Sequence, residues 1–456
     1  MSTYRLLIAF VALLSASPVR SEECAARSRE SPGERGYRLL LEKPYLTPDF
    51  DQQVFDELWK TWEEPLRSKA EKAVPDERRN MAYSRYGLIE RPDDPRHRPL
   101  QYVVDEHGNW TMNCLACHQG KVAGRVYPGV PNSLFALETL TEEVRETKLR
   151  MNKPLARMEL GMIFMPLGTT NGTTNAVMFG VALLAFRDPD LHVVPGLPPP
   201  LTNHDQDAPA WWNFHRRRSL YSDGFAMKGH RALMQFLLDR QNSAQKFREW
   251  ENDFKDVYAW LDSLTPPKYP WPVDGALAGS GHELFDAHCA RCHGAAGRDS
   301  RYPNKIIPIE TIGTDPVRLN ALTPDMRKAY GASWFGEYGK QPMVADPGGY
   351  VPPPLDGIWA SAPYFHNGSV PTLWHVLHPA ERPKIWLRSD DGYDQKLVGL
   401  EVETFATLPP PARASHSERR RYFDTTQPGK SAAGHPFSDE LNEDEKRAVL
   451  EYLKTI

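Results

Sequence analysis

A chain of 456 residues is longer than one hydrophobic core normally serves, so its length predicts two domains. With 40% hydrophobic and 25% charged residues and a formal net charge of -4, its composition is that of a globular protein in water. Lys and Arg are spread along the chain and no base-reading module appears, which argues against a nucleic-acid partner.

The chain opens with Arg5, an apolar run from Leu6 to Ala16, and Val19 and Ser21 at cleavage-site spacing. That pattern predicts a signal peptide over 1–21 and a periplasmic or secreted mature protein. The run is too short to span a bilayer and no later stretch reaches spanning length, so no transmembrane anchor is expected in the mature chain. Cys24 then stands alone near the mature N-terminus as an unpaired thiol.

The 41 prolines favour long Pro- and Gly-rich loops over long helices. Asp49 to Lys72 carries Phe55, Leu58, Trp59 and Trp62 at helical spacing. Arg231 to Leu264, with Leu233, Phe236 and Leu237, predicts another helical stretch, after the loop Val194 to Pro200. Pro266, Pro267, Pro270 and Pro272 then form a segment that helix cannot cross, so the boundary falls there, between a domain over 22–270 and one over 271–456. Ala276 to Ala287 reads as a short helix. Leu441 to Ile456 reads as a strong one, with capping-box spacing at Asn442 and Glu445 and an apolar stripe of Val449, Tyr452, Leu453 and Ile456. No convincing β pattern is visible. The fold expectation is mainly α.

Four of the five cysteines fall in two pentapeptides, Cys114-Leu-Ala-Cys-His118 and Cys289-Ala-Arg-Cys-His293. On a helical turn, residues three apart share a face, so both thiols of a motif reach the vinyl groups of one haem. The following His then offers its imidazole to the iron. The spacing predicts two covalently bound c-type haems, with Cys114, Cys117, His118, Cys289, Cys292 and His293 binding them. A structural zinc site or disulfides are the rivals; zinc would need the two distant motifs to converge. The sixth ligand of each iron is not readable from 15 histidines and 12 methionines. Met158, Met162 and Met165 either close the first haem or fill core.

Three segments carry a resemblance. Met112 to Val122, Asp207-Ala-Pro-Ala-Trp-Trp-Asn213, and Leu355 to Leu373 with its Ala-Pro-Tyr-Phe-His-Asn-Gly-Ser core resemble the rubber oxygenase A-like di-haem cytochromes. These belong to the bacterial di-haem cytochrome c peroxidase and MauG superfamily, and the likeness runs from about Gly36 to the C-terminus. It implies two cytochrome c-like haem domains. It further implies an open iron on His118 for oxygen or peroxide, and an electron-holding iron on His293 closed by His435. His366 is the rival ligand, though its setting reads more like a turn or a group at the haem edge. By the same resemblance Trp211 and Trp212 stand beside the first haem as pocket or electron-relay residues, with core packing as the plain alternative. Phe225 faces the same pocket. Three functions follow: an oxygenase acting on an alkene or isoprenoid-like substrate, a peroxidase, or an electron carrier. A small redox partner protein is expected in each.

Overall fold

The computed structural model describes residues 30–410 and 414–456; the leader read over 1–21 and Cys24 lie outside the described residues. Helix makes up 41% and strand 12%, so the fold is mixed with helices predominating. The mainly α expectation is corrected by several small antiparallel sheets. One orders Phe50–Asp51, Asn109–Met112 and Tyr102–Val104 with Asn109–Met112 in the middle. Another pairs Ile385–Asp394 with Gly399–Phe405 and Tyr422–Asp424. The long hairpin escaped notice because a register shift between Arg388 and Tyr393 breaks its alternation.

Both long helical stretches of the N-terminal half are broken. Gln52–Glu57 passes through a 3₁₀ turn, Leu58–Thr61, to extended Trp62, and helix resumes at Leu66–Lys72. At the break Trp62 turns its indole Nε1–H to Tyr86 Oη at 2.9 Å inside a second core. The other stretch divides at Asp239 to Asn242, whose side chains bind local backbone. Beyond it, Ser243 caps Ala244–Glu249, and Glu251–Ser263 follows.

The C-terminal reading holds closely. Asp274 caps Gly275–His288, and Asn442 and Glu445 form a reciprocal capping box on Glu443–Leu453. These two helices pack against each other at Gly281, where a Cβ would lie 1.9 Å from the Ala448 carbonyl oxygen. Only glycine permits that approach. The main core includes Leu40, Trp212 and Phe254 together with Phe285, Trp359 and Leu450, so it draws on both sides of the proline-rich segment. Among the described residues no helix is long and apolar enough to cross a membrane.

Candidate haem sites

The first motif leaves the strand Asn109–Met112 and enters one turn of helix, Leu115–His118. Asn113 fixes that turn. Its amide donates to the carbonyls of Leu40 and Leu100, both at 2.9 Å, and its Oδ1 accepts the Leu115 N–H. Asn132 holds the far side by donating to the carbonyls of Ala116 and Gly87. Leu115 and Ala116 are buried, so this motif is built into the core.

His118 donates from Nδ1 to the Pro209 carbonyl at 3.2 Å, and its ring lies on Trp211 with centroids 4.0 Å apart. Desolvation pushes its pKa down to about 3, so the imidazole stays neutral with Nε2 as its free lone pair. Burial pushes the Cys114 thiol up to about 11 and the Cys117 thiol up to about 12.

The second motif follows the helix Gly275–His288 and forms its own turn, Ala290–His293, in which no residue is buried. His293 repeats the arrangement of His118: Nδ1 donates to a prolyl carbonyl, here Pro353, at 2.8 Å. Desolvation of the half-buried ring lowers its pKa as well. Opposite it stands His435, with ring centroids 6.3 Å apart. An ion held between two imidazole nitrogens at roughly 2 Å each puts the ring centres about 6 Å apart, so the pair has the spacing of two axial ligands.

His435 reaches that position through an unusual backbone. Gly434 and His435 both have positive φ, +82° and +55°, and the His435 N–H donates to the Ile312 carbonyl at 2.6 Å. A Cβ at position 434 would lie 2.2 Å from the Gly313 carbonyl carbon, so glycine is required there. Arg382 clamps the loop by donating to the carbonyls of Ala432 and Gly434. Burial, with His293 and Arg382 nearby, lowers the His435 pKa to about 3.

Both motifs therefore offer what a thioether-bound haem requires: two free thiols and a neutral imidazole aimed by a carbonyl on its other nitrogen. The remaining predicted residues fall in distinct places. Trp212 is fully buried and donates from Nε1 to the Asp356 carbonyl at 2.7 Å, and Asn213 donates to the Pro354 carbonyl at 3.1 Å. The segment carrying Pro209 and Trp211 is thus bonded to the segment carrying Pro353. Phe225 stacks on Tyr221 at 4.5 Å and meets Tyr330 edge-on at 5.4 Å, in an aromatic cluster of its own. His366 lies against Tyr350 at 4.4 Å, and its carbonyl accepts the Asp207 N–H. Met158 and Met162 pack against the cluster that includes Cys117's neighbours, whereas Met165 belongs to another.

A small cleft of about 30 Å³ has Ser133, Asp207, Trp386 and Phe423 in its wall; Trp211, Trp212 and Phe225 do not line it. Desolvation pushes the Asp207 carboxyl well above the usual carboxylate range. Sequence reasoning passed over Asp207 as a site residue, and equally the two prolyl carbonyls and Arg382. The only signal was that Asp207, Pro209, Pro353 and Pro354 lie in or beside the quoted segments.

Residues 349–387 match the family described as RoxA-like, cytochrome c-like. The chain contains a cytochrome c-like domain. Such a domain implies a haem cofactor, and the matched stretch holds Pro353, Asp356 and His366. The uncharacterized protein y4iM of Sinorhizobium fredii (strain NBRC 101917 / NGR234) is 30% identical over 237 residues, 44% of this chain and 53% of its own length. The uncharacterized protein y4iJ of the same organism is 30% identical over 261 residues, 42% of this chain and 41% of its own length. The chain spans about half the length of these curated relatives.

Proposed function

We propose that this is an exported di-haem c-type cytochrome that performs redox catalysis with oxygen or peroxide. In this reading one haem is held by Cys114, Cys117 and His118 and is the reacting site. The other is held by Cys289, Cys292 and His293, closed by His435, and stores an electron. The observation that carries the reading is the spacing of His293 and His435, which suits two axial ligands, while His118 has an indole as its ring neighbour.

A bound haem supplies the iron that takes up oxygen or peroxide and exchanges electrons. The chain's own residues position and connect. Pro209 and Pro353 hold each proximal imidazole in one tautomer and raise its basicity. Trp211 fixes the His118 ring by stacking. Trp212, bonded to the Asp356 carbonyl, ties the two proximal segments into a short covalent and hydrogen-bonded route between the imidazoles. Asp207, whose carboxyl desolvation holds well above the usual range, stands in the cleft wall as the acidic group that would hold a proton there.

Between the two chemistries we favour oxygen, with an alkene or isoprenoid-like substrate, because the matched family is the RoxA-like one. Purified holoprotein would be titrated with cyanide and imidazole, and then assayed for oxygen uptake with polyisoprene or small alkenes and for peroxide turnover with a reduced cytochrome. One haem is expected to bind cyanide while the other stays low-spin. Peroxide turnover without oxygen uptake moves the assignment to peroxidase, and two haems that both refuse cyanide leave an electron carrier.

A further inference from the structure

A buried group of charges has no part in the reading above, although its helix is bonded through Tyr350 and Ser431 to the segments that carry Pro353 and His435. Arg318, on the short helix Val317–Ala321, is 2% exposed, and none of its three side-chain nitrogens has a hydrogen-bond partner among the described residues. Its carboxylate contact, Asp223 Oδ2, is 3.4 Å away and already accepts from Arg327 Nη2 at 3.1 Å, while Asp223 Oδ1 is also buried without a hydrogen-bond partner, so two guanidiniums share one carboxylate and leave a positive charge over. Arg217 lies within electrostatic reach of the same Asp223; its Nη2 donates to the Tyr221 carbonyl at 2.8 Å, and its Nε is unpartnered.

Other groups around Arg318 do not answer it. Arg327 uses its outer nitrogens on Asp223 and on the carbonyls of Leu319 and Leu322. Asp315 accepts backbone N–H groups on both oxygens, from Val317 and Ser431. His204 donates from Nδ1 to the Thr202 carbonyl, and its Nε2 and that of His366 are buried without partners. A guanidinium in this state is costly, and its planar fork matches a carboxylate with two oxygens in one plane.

The group borders the second haem site. Tyr350 lies within electrostatic reach of Arg318, faces the His366 ring at 4.4 Å, and shortly precedes Pro353, the acceptor for His293. Phe365, next to His366, faces His435 at 6.0 Å. The loop that ends in His435 is tied to the Arg318 helix through Ser431 and Asp315.

We propose that Arg318 is the receptor for a buried carboxylate, and that a propionate of the haem held by Cys289, Cys292 and His293 supplies it. The assignment rests on the haem reading above. Its consequence is electrostatic: a paired guanidinium offsets the propionate charge, and a cation near the iron favours the ferrous form, which carries one positive charge fewer. Arg318 thereby raises the reduction potential of the electron-storing haem.

The test uses full-length holoprotein and readouts other than turnover: haem content by pyridine haemochrome, midpoint potential by spectroelectrochemistry, and the propionate band of the resonance Raman spectrum. Arg318→Gln is expected to keep both haems and the low-spin spectrum, lower the midpoint potential of the low-spin haem, and shift its propionate band. Arg318→Lys, which keeps the charge but loses the fork, is expected to hold the potential near wild type while still shifting the band; it carries the test if the Gln variant does not accumulate. Full haem content with potential and band both unchanged would overturn the proposal and leave water as the partner of Arg318. A wild-type potential that moves when inorganic phosphate or acetate is titrated in at constant ionic strength would overturn the haem source in favour of a free anion. Wild-type protein that holds no haem would overturn the haem reading itself, and this assignment with it.

Discussion

The two Cys-x-x-Cys-His turns share spacing and chemistry but sit in opposite surroundings. The first is enclosed: Leu115 and Ala116 are buried, Asn113 and Asn132 bond its backbone from both sides, and an indole lies on its histidine. The second lies near the surface with no buried residue in its turn, and what it has is an imidazole opposite His293. The motif fixes how a haem is attached, and the structure around it decides what the iron is for. Even the shared feature, a prolyl carbonyl on Nδ1, arrives from segments distant in sequence, Pro209 and Pro353.

The strongest way to break this comparison is to remove one attachment at a time. Cys114→Ala with Cys117→Ala is expected to leave a protein with one haem and an intact low-spin spectrum. Cys289→Ala with Cys292→Ala is expected to remove the low-spin component instead. Mass spectrometry and optical spectra read both. Loss of the same spectral component in both variants would mean that the two sites are not functionally distinct.

A finer cut leaves both haems attached and disturbs only the partner of His293. His435→Ala is expected to convert one low-spin haem to a high-spin or water-ligated form, read by electron paramagnetic resonance. Gly434→Ala is expected to act similarly without touching the imidazole, because its Cβ meets the Gly313 backbone at 2.2 Å and residue 434 needs positive φ. If His366→Ala produces the spectral change and His435→Ala does not, the ligand is His366.

The connection between the sites is tested at Trp212. Trp212→Phe keeps an aromatic ring but removes the Nε1–H donor, leaving the Asp356 carbonyl only the longer Asn213 contact at 3.3 Å, at a cost of about 1–3 kcal/mol in a buried setting. Thermal unfolding is expected to fall accordingly, and electron exchange between the haems, followed by flash photolysis or stopped flow, is expected to slow. A loss of stability with unchanged exchange would make Trp212 a packing residue.

Local signals were legible in the sequence wherever a few adjacent residues decide the outcome. The capping box of Asn442 and Glu445 and the Asp274 cap produced the helices read there. Each Cys-x-x-Cys-His pentapeptide forms the single helical turn that its spacing implied. Long-range choices were not legible. The break after Thr61 is marked locally by Pro65, but that Trp62 then turns its indole to Tyr86 is recorded by no local propensity. Nothing about Arg382 or Arg318 marks them in sequence, and the two prolyl carbonyls are marked only by lying in or beside the segments that carry the resemblance, since each acts on residues brought near only by folding. Trp211 and Trp212, adjacent in the chain, part company in space: one lies on His118 while the other bonds to the backbone beside the second site.

The smallest expected effect concerns pH and the ground between the two sites. His204 is 1% exposed, and desolvation, with Arg318 nearby, lowers its pKa to about 4. The unfolded chain binds a proton at this imidazole near pH 6.5 and the folded chain does not, so the unfolded state gains protons first as pH falls. Stability is therefore expected to decline from about pH 6.5 down to about pH 4, and the total from this group is at most on the order of 3 kcal/mol. Denaturant unfolding of the holoprotein across that range, compared with His204→Gln, checks the sign: the variant should lose less stability on acidification than the wild type. An equal decline in both would place the acid sensitivity in other groups, and the haem-facing histidines would be next, because their neutrality is what ligation of the two irons requires.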